Sequence, residues 1–175
     1  EMCIRDRPYA IKDYYDIDPD LAEDPSTRMQ EFEALVTRTH EVGLKVVLDF
    51  VLNHVARQYH SDTAPEGVDD LGAHDNKEMH FSPSNNFYYI PRQAFTPQFY
   101  IGEGEDRYFE YPAKATGNDC FGAFPGEYDW YETVKLNYGV DYTGGGRCHF
   151  DPIPDTWYKM LDILLFWCGK GADAF

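Results

Sequence analysis

Positive charge is scarce in this chain: 15 Lys and Arg stand against 31 Asp and Glu, a formal net charge of −16 at pH 7. That balance repels a polyanion, so no nucleic-acid partner is expected. Long hydrophobic runs are missing as well. No apolar stretch approaches the roughly 18–20 residues of a membrane-crossing helix, and no membrane partner is expected. Cysteine is sparse: Cys3, Cys120, Cys148 and Cys168 include no C-x-x-C pair, which speaks against a zinc site. Cys120 and Cys148 form a bridge only if the fold brings them together, and their spacing does not decide that. No signal-peptide pattern opens the chain.

What is present is a core-forming, aromatic-rich sequence: 43% of the 175 residues are hydrophobic and 17% are aromatic. Disorder is not expected at that composition. Aromatic rings can stack on sugar faces, although ordinary packing accounts for most of them.

Residues 45–55 (KVVLDFVLNHV) carry the most information. Val46, Val47, Leu48, Phe50 and Val51 predict a strand over 44–52, apolar on both faces and therefore buried on both, as in a parallel sheet covered by helices. Polar groups at the C-terminal end of such a strand, here Asn53 and His54, are where ligands bind in α/β folds. Asp49 lies inside the apolar run, so burial would require it to be paired or hydrogen-bonded. Strict alternation puts Asp49 and Asn53 on one face and His54 on the other. Asn53 and His54 serve one site only if regular strand geometry ends near Leu52.

Upstream, residues 8–19 read as a strand end and a Tyr- and Asp-rich loop. Asp24 as N-cap and Pro25 at the first helical position start a helix. Met29, Phe32, Leu35, Val36 and Thr39 mark its apolar side, and Gly43 ends it. Residues 55–154 contain no convincing amphipathic helix but many Pro, Gly, Asn and aromatic residues, among them Phe87, Tyr88, Tyr89, Phe95, Phe99 and Tyr100. This segment reads as an irregular, β-containing excursion. Asp155 then caps a second helix, with Trp157, Met160, Leu161, Leu164, Leu165 and Cys168 on its buried side, and Gly169 or Gly171 ends it. Residues 172–175 begin another strand. Residues 1–7 (EMCIRDR) match none of this and read as a leader foreign to the natural protein.

The motif DFVLNH, followed by a long excursion, a helix and GADAF, resembles the α-amylase family of glycoside hydrolases (family thirteen). Its third-strand motif is D-x-x-x-N-H. Pro8, Tyr9, Asp13, Tyr14, Asp18 and Pro19 resemble the family's loop after the second strand. Residues 130–139 (WYETVKLNYG) are similar to the end of its inserted domain, with Lys135 where an acidic residue is usual. The resemblance implies an α/β fold: a partial (β/α)8 TIM barrel with an irregular inserted subdomain after strand 3. Residues 8–54 would be a barrel segment, 55–154 the insertion, and 155–175 the next helix and the start of strand 4.

The resemblance also implies the chemistry. His54 would hydrogen-bond the bound sugar and Tyr9 would stack on it, with Asp49, Asp13 and Tyr14 in support. Asn53 would be a calcium ligand, through its amide oxygen. The plain alternatives are a satisfied strand-end histidine and one more loop tyrosine. The substrate implied is an α-glucan or maltooligosaccharide, cleaved with retention through two carboxyl groups about 5–5.5 Å apart. Neither the nucleophile nor the acid/base falls within these residues, so the chain is expected to be an inactive fragment of a glycosidase. A non-catalytic carbohydrate-binding or transporter-associated relative of the same fold is the alternative. An unrelated barrel enzyme with a chance motif comes third.

Overall fold

The computed structural model describes residues 9–98 and 108–175. The leader 1–7, Pro8, Phe99 and Tyr100 lie outside the described residues. Two helices, α1 (Arg28–Glu41) and α2 (Asp155–Gly169), flank a segment of short strands. The strands form three antiparallel pairs: β1 (His54–Ala56) with β4 (Thr133–Lys135), β2 (Tyr89–Ile90) with β3 (Ala113–Lys114), and β5 (Val140–Asp141) with β6 (Arg147–Cys148). Among the described residues no barrel closes.

Helix α1 begins as its sequence suggests, by way of an extra turn. The Asp24 side chain accepts from Ser26 N–H and caps a 3₁₀ turn, Pro25–Thr27, which runs straight into α1. Gly43 ends the helix at φ +77°, where its N–H reaches the His40 carbonyl and the Leu44 N–H reaches that of Thr39. This left-handed position suits glycine because no Cβ crowds the carbonyl. Of the predicted apolar stripe only Val36 is fully buried, and Leu35 faces solvent.

Helix α2 buries a face that shares only Met160 with the expected one. Thr156, Met160, Ile163 and Trp167 are buried, whereas Trp157, Leu161, Leu165 and Cys168 are exposed. The helix is apolar on two sides, and the side it buries is the one that meets Tyr14, Tyr15, Val55, Phe87 and Leu136 in the main core. Trp167 fixes that rotation: its indole N–H donates to the Tyr14 carbonyl, 2.7 Å away. Asp155 is the first residue of α2, not its cap. Pro154 holds the cap position, and the Asp155 carboxylate accepts from the Asn86 amide.

The strand expected over 44–52 does not form as a regular ladder. Val47 makes one parallel bridge to Ala174, with Leu48 N–H donating to the Ala174 carbonyl at 3.0 Å. Leu44 and Val47 are largely exposed, so the expected burial on both faces is not realised. The physical reason is that side-chain packing reaches this run on one face only. The core reaches Leu48 and Phe50, and nothing among the described residues covers the opposite face. Asp49 is exposed for the same reason, and the demand for a buried partner does not arise.

Asp173 holds this junction together. Its carboxylate accepts from Lys45 Nζ at 2.7 Å and from Val46 N–H at 2.9 Å, and it meets the His40 ring at 2.8 Å. The hydrogen bond from Lys45, then those from Val46 and His40, hold the carboxyl well below the usual carboxylate range.

Cys120, Cys148 and Cys168 are free thiols.

Candidate functional site

The backbone between Leu48 and Asn53 is irregular, and the ladder begins only at His54. That break brings Asn53 and His54 to one place. The Asn53 amide nitrogen lies 3.1 Å from His54 Nδ1 and donates to the Gly117 carbonyl at 2.7 Å. In register, His54 stands opposite Lys135 across the β1–β4 pair.

His54 is buried, and its ring packs edge-on to Trp130 at a centroid separation of 5.2 Å. Burial is the main influence on the imidazole and pulls it below its ordinary range; a hydrogen bond with the Tyr9 backbone opposes this and the Lys135 ammonium adds to it. The ring is therefore neutral at physiological pH, with one nitrogen to donate and one to accept. Tyr9 reaches His54 through its backbone, and 59% of the residue's surface is exposed.

The loop carrying Tyr9 is anchored from both sides. Tyr14 is buried and donates its hydroxyl to the Val51 carbonyl at 2.5 Å. Asp13 accepts from Tyr15 N–H and from Asp62 N–H. Asp49 takes no part in the cluster around His54.

Three residues of the cluster escape sequence reasoning. Trp130 supplies a half-exposed indole beside the imidazole. Gly117 lies so close beneath it that an added Cβ would sit 2.9 Å from both Cβ and Cγ of His54. Lys135 reaches Asn53 Oδ1 at 3.2 Å and Asp119 Oδ1 at 2.6 Å. The WYETVKLNYG segment carries two of these residues, but nothing in it discloses which residues they face. Gly117 has no sequence signal at all.

The Lys135 contact bears on the calcium expectation. Calcium takes six to eight oxygen ligands, and the one oxygen that Asn53 offers already accepts from an ammonium. Among the described residues no three His, Cys, Asp or Glu side chains form a metal-binding group. The residues around Asn53 do not fit a calcium ion.

A cavity of about 210 Å³ opens elsewhere, between α2 and the 67–71 loop, lined by Tyr15, Tyr59, Asp70, Asp155 and Lys159 among others. Two of its polar side chains are occupied: Asp70 accepts from Ser61 N–H and meets the His60 ring, and Lys159 donates to the Asp70 carbonyl. The His54 cluster carries the stronger chemistry.

The family model described as "Alpha amylase, catalytic domain" matches residues 3–100. The chain belongs to the α-amylase catalytic-domain family. It is 41% identical to Maltase A1 of Drosophila melanogaster over 168 residues, covering 95% of this chain and 24% of that protein. It is 25% identical to Maltase 1 of Drosophila virilis over 168 residues, 95% of this chain and 22% of that protein. It is 32% identical to the amino acid transporter heavy chain SLC3A1 of Homo sapiens over 195 aligned positions, 100% of this chain and 21% of that protein. The chain thus spans between a fifth and a quarter of the length of these relatives.

Proposed function

We propose that this chain is the substrate-holding part of an α-glucan-active glycoside hydrolase that works with retention on a (β/α)8 barrel. The observation that carries the reading is the buried His54 imidazole set between the Tyr9 loop and the Trp130 indole. A sugar hydroxyl needs a directed donor or acceptor, and a sugar ring face needs an aromatic plane. His54 offers the first, and the exposed Tyr9 phenol and Trp130 offer the second. The 41% identity to a maltase over nearly the whole chain supports the same substrate class.

In this reading the residues present bind and orient the sugar. His54 holds a hydroxyl, Tyr9 packs on the ring, and Tyr14 and Asp13 keep the Tyr9 loop in place. The nucleophile and the acid/base lie outside these residues, so the chain alone does not cleave glycosidic bonds. Incubated with maltoheptaose it is expected to bind the sugar, release no shorter products, and lose affinity by about 5–10-fold on His54→Ala, the effect of one hydrogen bond. Release of short sugars would show that the catalytic groups have been misplaced.

The match to a transporter heavy chain motivates a second reading, in which the fold serves as a non-catalytic, transporter-associated subunit. Calorimetric titration with maltoheptaose separates the two: saturable binding that depends on His54 supports the hydrolase, and no binding supports the subunit.

A further inference from the structure

The geometry points to Lys135 as a built-in cation that stands at Asn53 in place of a metal ion and, together with the Gly117 carbonyl, holds that amide in the orientation that makes His54 Nδ1 an acceptor. Lys135 is buried, and its ammonium has three neighbours: Asn53 Oδ1 at 3.2 Å, Asp119 Oδ1 at 2.6 Å, and the Tyr142 ring centroid at 5.3 Å. A buried ammonium needs such partners. Asp119 is presented by its backbone. It sits in the left-handed region at φ 71°, within a tight loop in which Asp119 N–H donates to the Thr116 carbonyl and Thr116 N–H to the Cys120 carbonyl. Aspartate tolerates this conformation better than most residues do.

The proton assignment follows from what each group can do. An ammonium only donates, so the Asn53 atom facing Lys135 is the amide oxygen. A carbonyl only accepts, so the Asn53 atom facing Gly117 is the amide nitrogen. The two neighbours orient the amide the same way. The same nitrogen faces His54 Nδ1 at 3.1 Å, which makes Nδ1 the acceptor. A neutral imidazole then keeps its proton on Nε2, the nitrogen turned away from Asn53. Lys135 is thus a positioning residue that acts on His54 through Asn53. A calcium ion at Asn53 would compete with a cation tethered to the chain and already within hydrogen-bonding distance of the same oxygen. None of this depends on whether a sugar binds.

The test is ¹⁵N NMR of the His54 ring in the full chain, at a pH where it is neutral, with excess calcium and then with EDTA, alongside thermal melts in the same buffers. The wild type is expected to show Nε2 protonated and Nδ1 bare, with the same spectrum and Tm in both buffers. Lys135→Met leaves the Gly117 carbonyl to hold the Asn53 amide, and is expected to keep Nε2 protonated while lowering Tm by roughly 4 °C or more. The proposal is overturned if Nδ1 carries the proton in the wild type, if calcium raises the wild-type Tm, or if Lys135→Met leaves Tm unchanged. Should Lys135→Met not fold, the wild-type arms decide the question by themselves.

Discussion

Arg57→Ala is expected to cost about 3–5 kcal/mol of stability, a large fraction of what holds a domain of this size together. Arg57 follows β1 directly, and its side chain is fully buried. Its Nε donates to the Tyr131 carbonyl at 2.6 Å and its Nη2 to the Thr133 carbonyl at 2.9 Å. Its Nη1 meets the Glu110 carboxylate at 2.7 Å and the Lys114 carbonyl at 3.2 Å. The guanidinium carbon lies 3.9 Å over the Phe95 ring. One side chain therefore ties the β1–β4 pair to the β2–β3 pair through carbonyls that have little water to turn to. Alanine would strand those carbonyls and leave Glu110 buried without its principal counter-charge. Lysine would restore the charge but not the planar fork, so Arg57→Lys should recover only a small part of the loss. Denaturant unfolding measures both. A loss below about 1 kcal/mol for alanine would mean that the pair behaves as an exposed one.

Gly117→Ala is expected to weaken maltoheptaose binding by about tenfold, equivalent to about 1.4 kcal/mol. An added Cβ would lie 2.6 Å from Thr133 Oγ1 and 2.9 Å from the Cβ and Cγ atoms of His54. Contacts this short force the neighbours to move, and because they reach His54 Cβ as well as Cγ the imidazole is displaced with its backbone. The shift also disturbs the Gly117 carbonyl that accepts from Asn53. Gly122→Ala is the control, because nothing lies within 4 Å of its added Cβ. Calorimetry on both variants separates a displaced imidazole from a general glycine effect: equal affinities would contradict the placement of His54 in the sugar site.

Local rules make parts of this fold legible. Gly43 as a helix stop and Asp24 as a cap each depend on neighbours a few residues away. Faces are harder. Helix α2 carries apolar side chains around most of its circumference, so periodicity alone does not choose between the Trp157–Leu161 side and the Met160–Ile163 side. The core makes the choice through Trp167 and Tyr14. The apolar run at 44–52 reads as a strand covered on both sides because composition reports what a segment can bury, not what is there to cover it.

The site divides along the same line. Asn53 and His54 adjoin in sequence, and the DFVLNH motif points to both. Their working partners come from far along the chain: Gly117 from 64 residues away and Lys135 from 82. No local pattern records that a lysine on β4 will meet an asparagine before β1. The replacement of the usual acidic residue by Lys135 is visible in the sequence, but its consequence for the Asn53 amide and the His54 proton needs the β1–β4 register.

The most direct measurement is an NMR titration of the full chain with maltoheptaose, following the ring signals of His54 and Trp130. Saturable shifts at both rings, with the Trp130 shift lost in His54→Ala, are the predicted result. If the sugar leaves those two rings unmoved, whether or not signals elsewhere respond, the His54 cluster is not where the glucan binds.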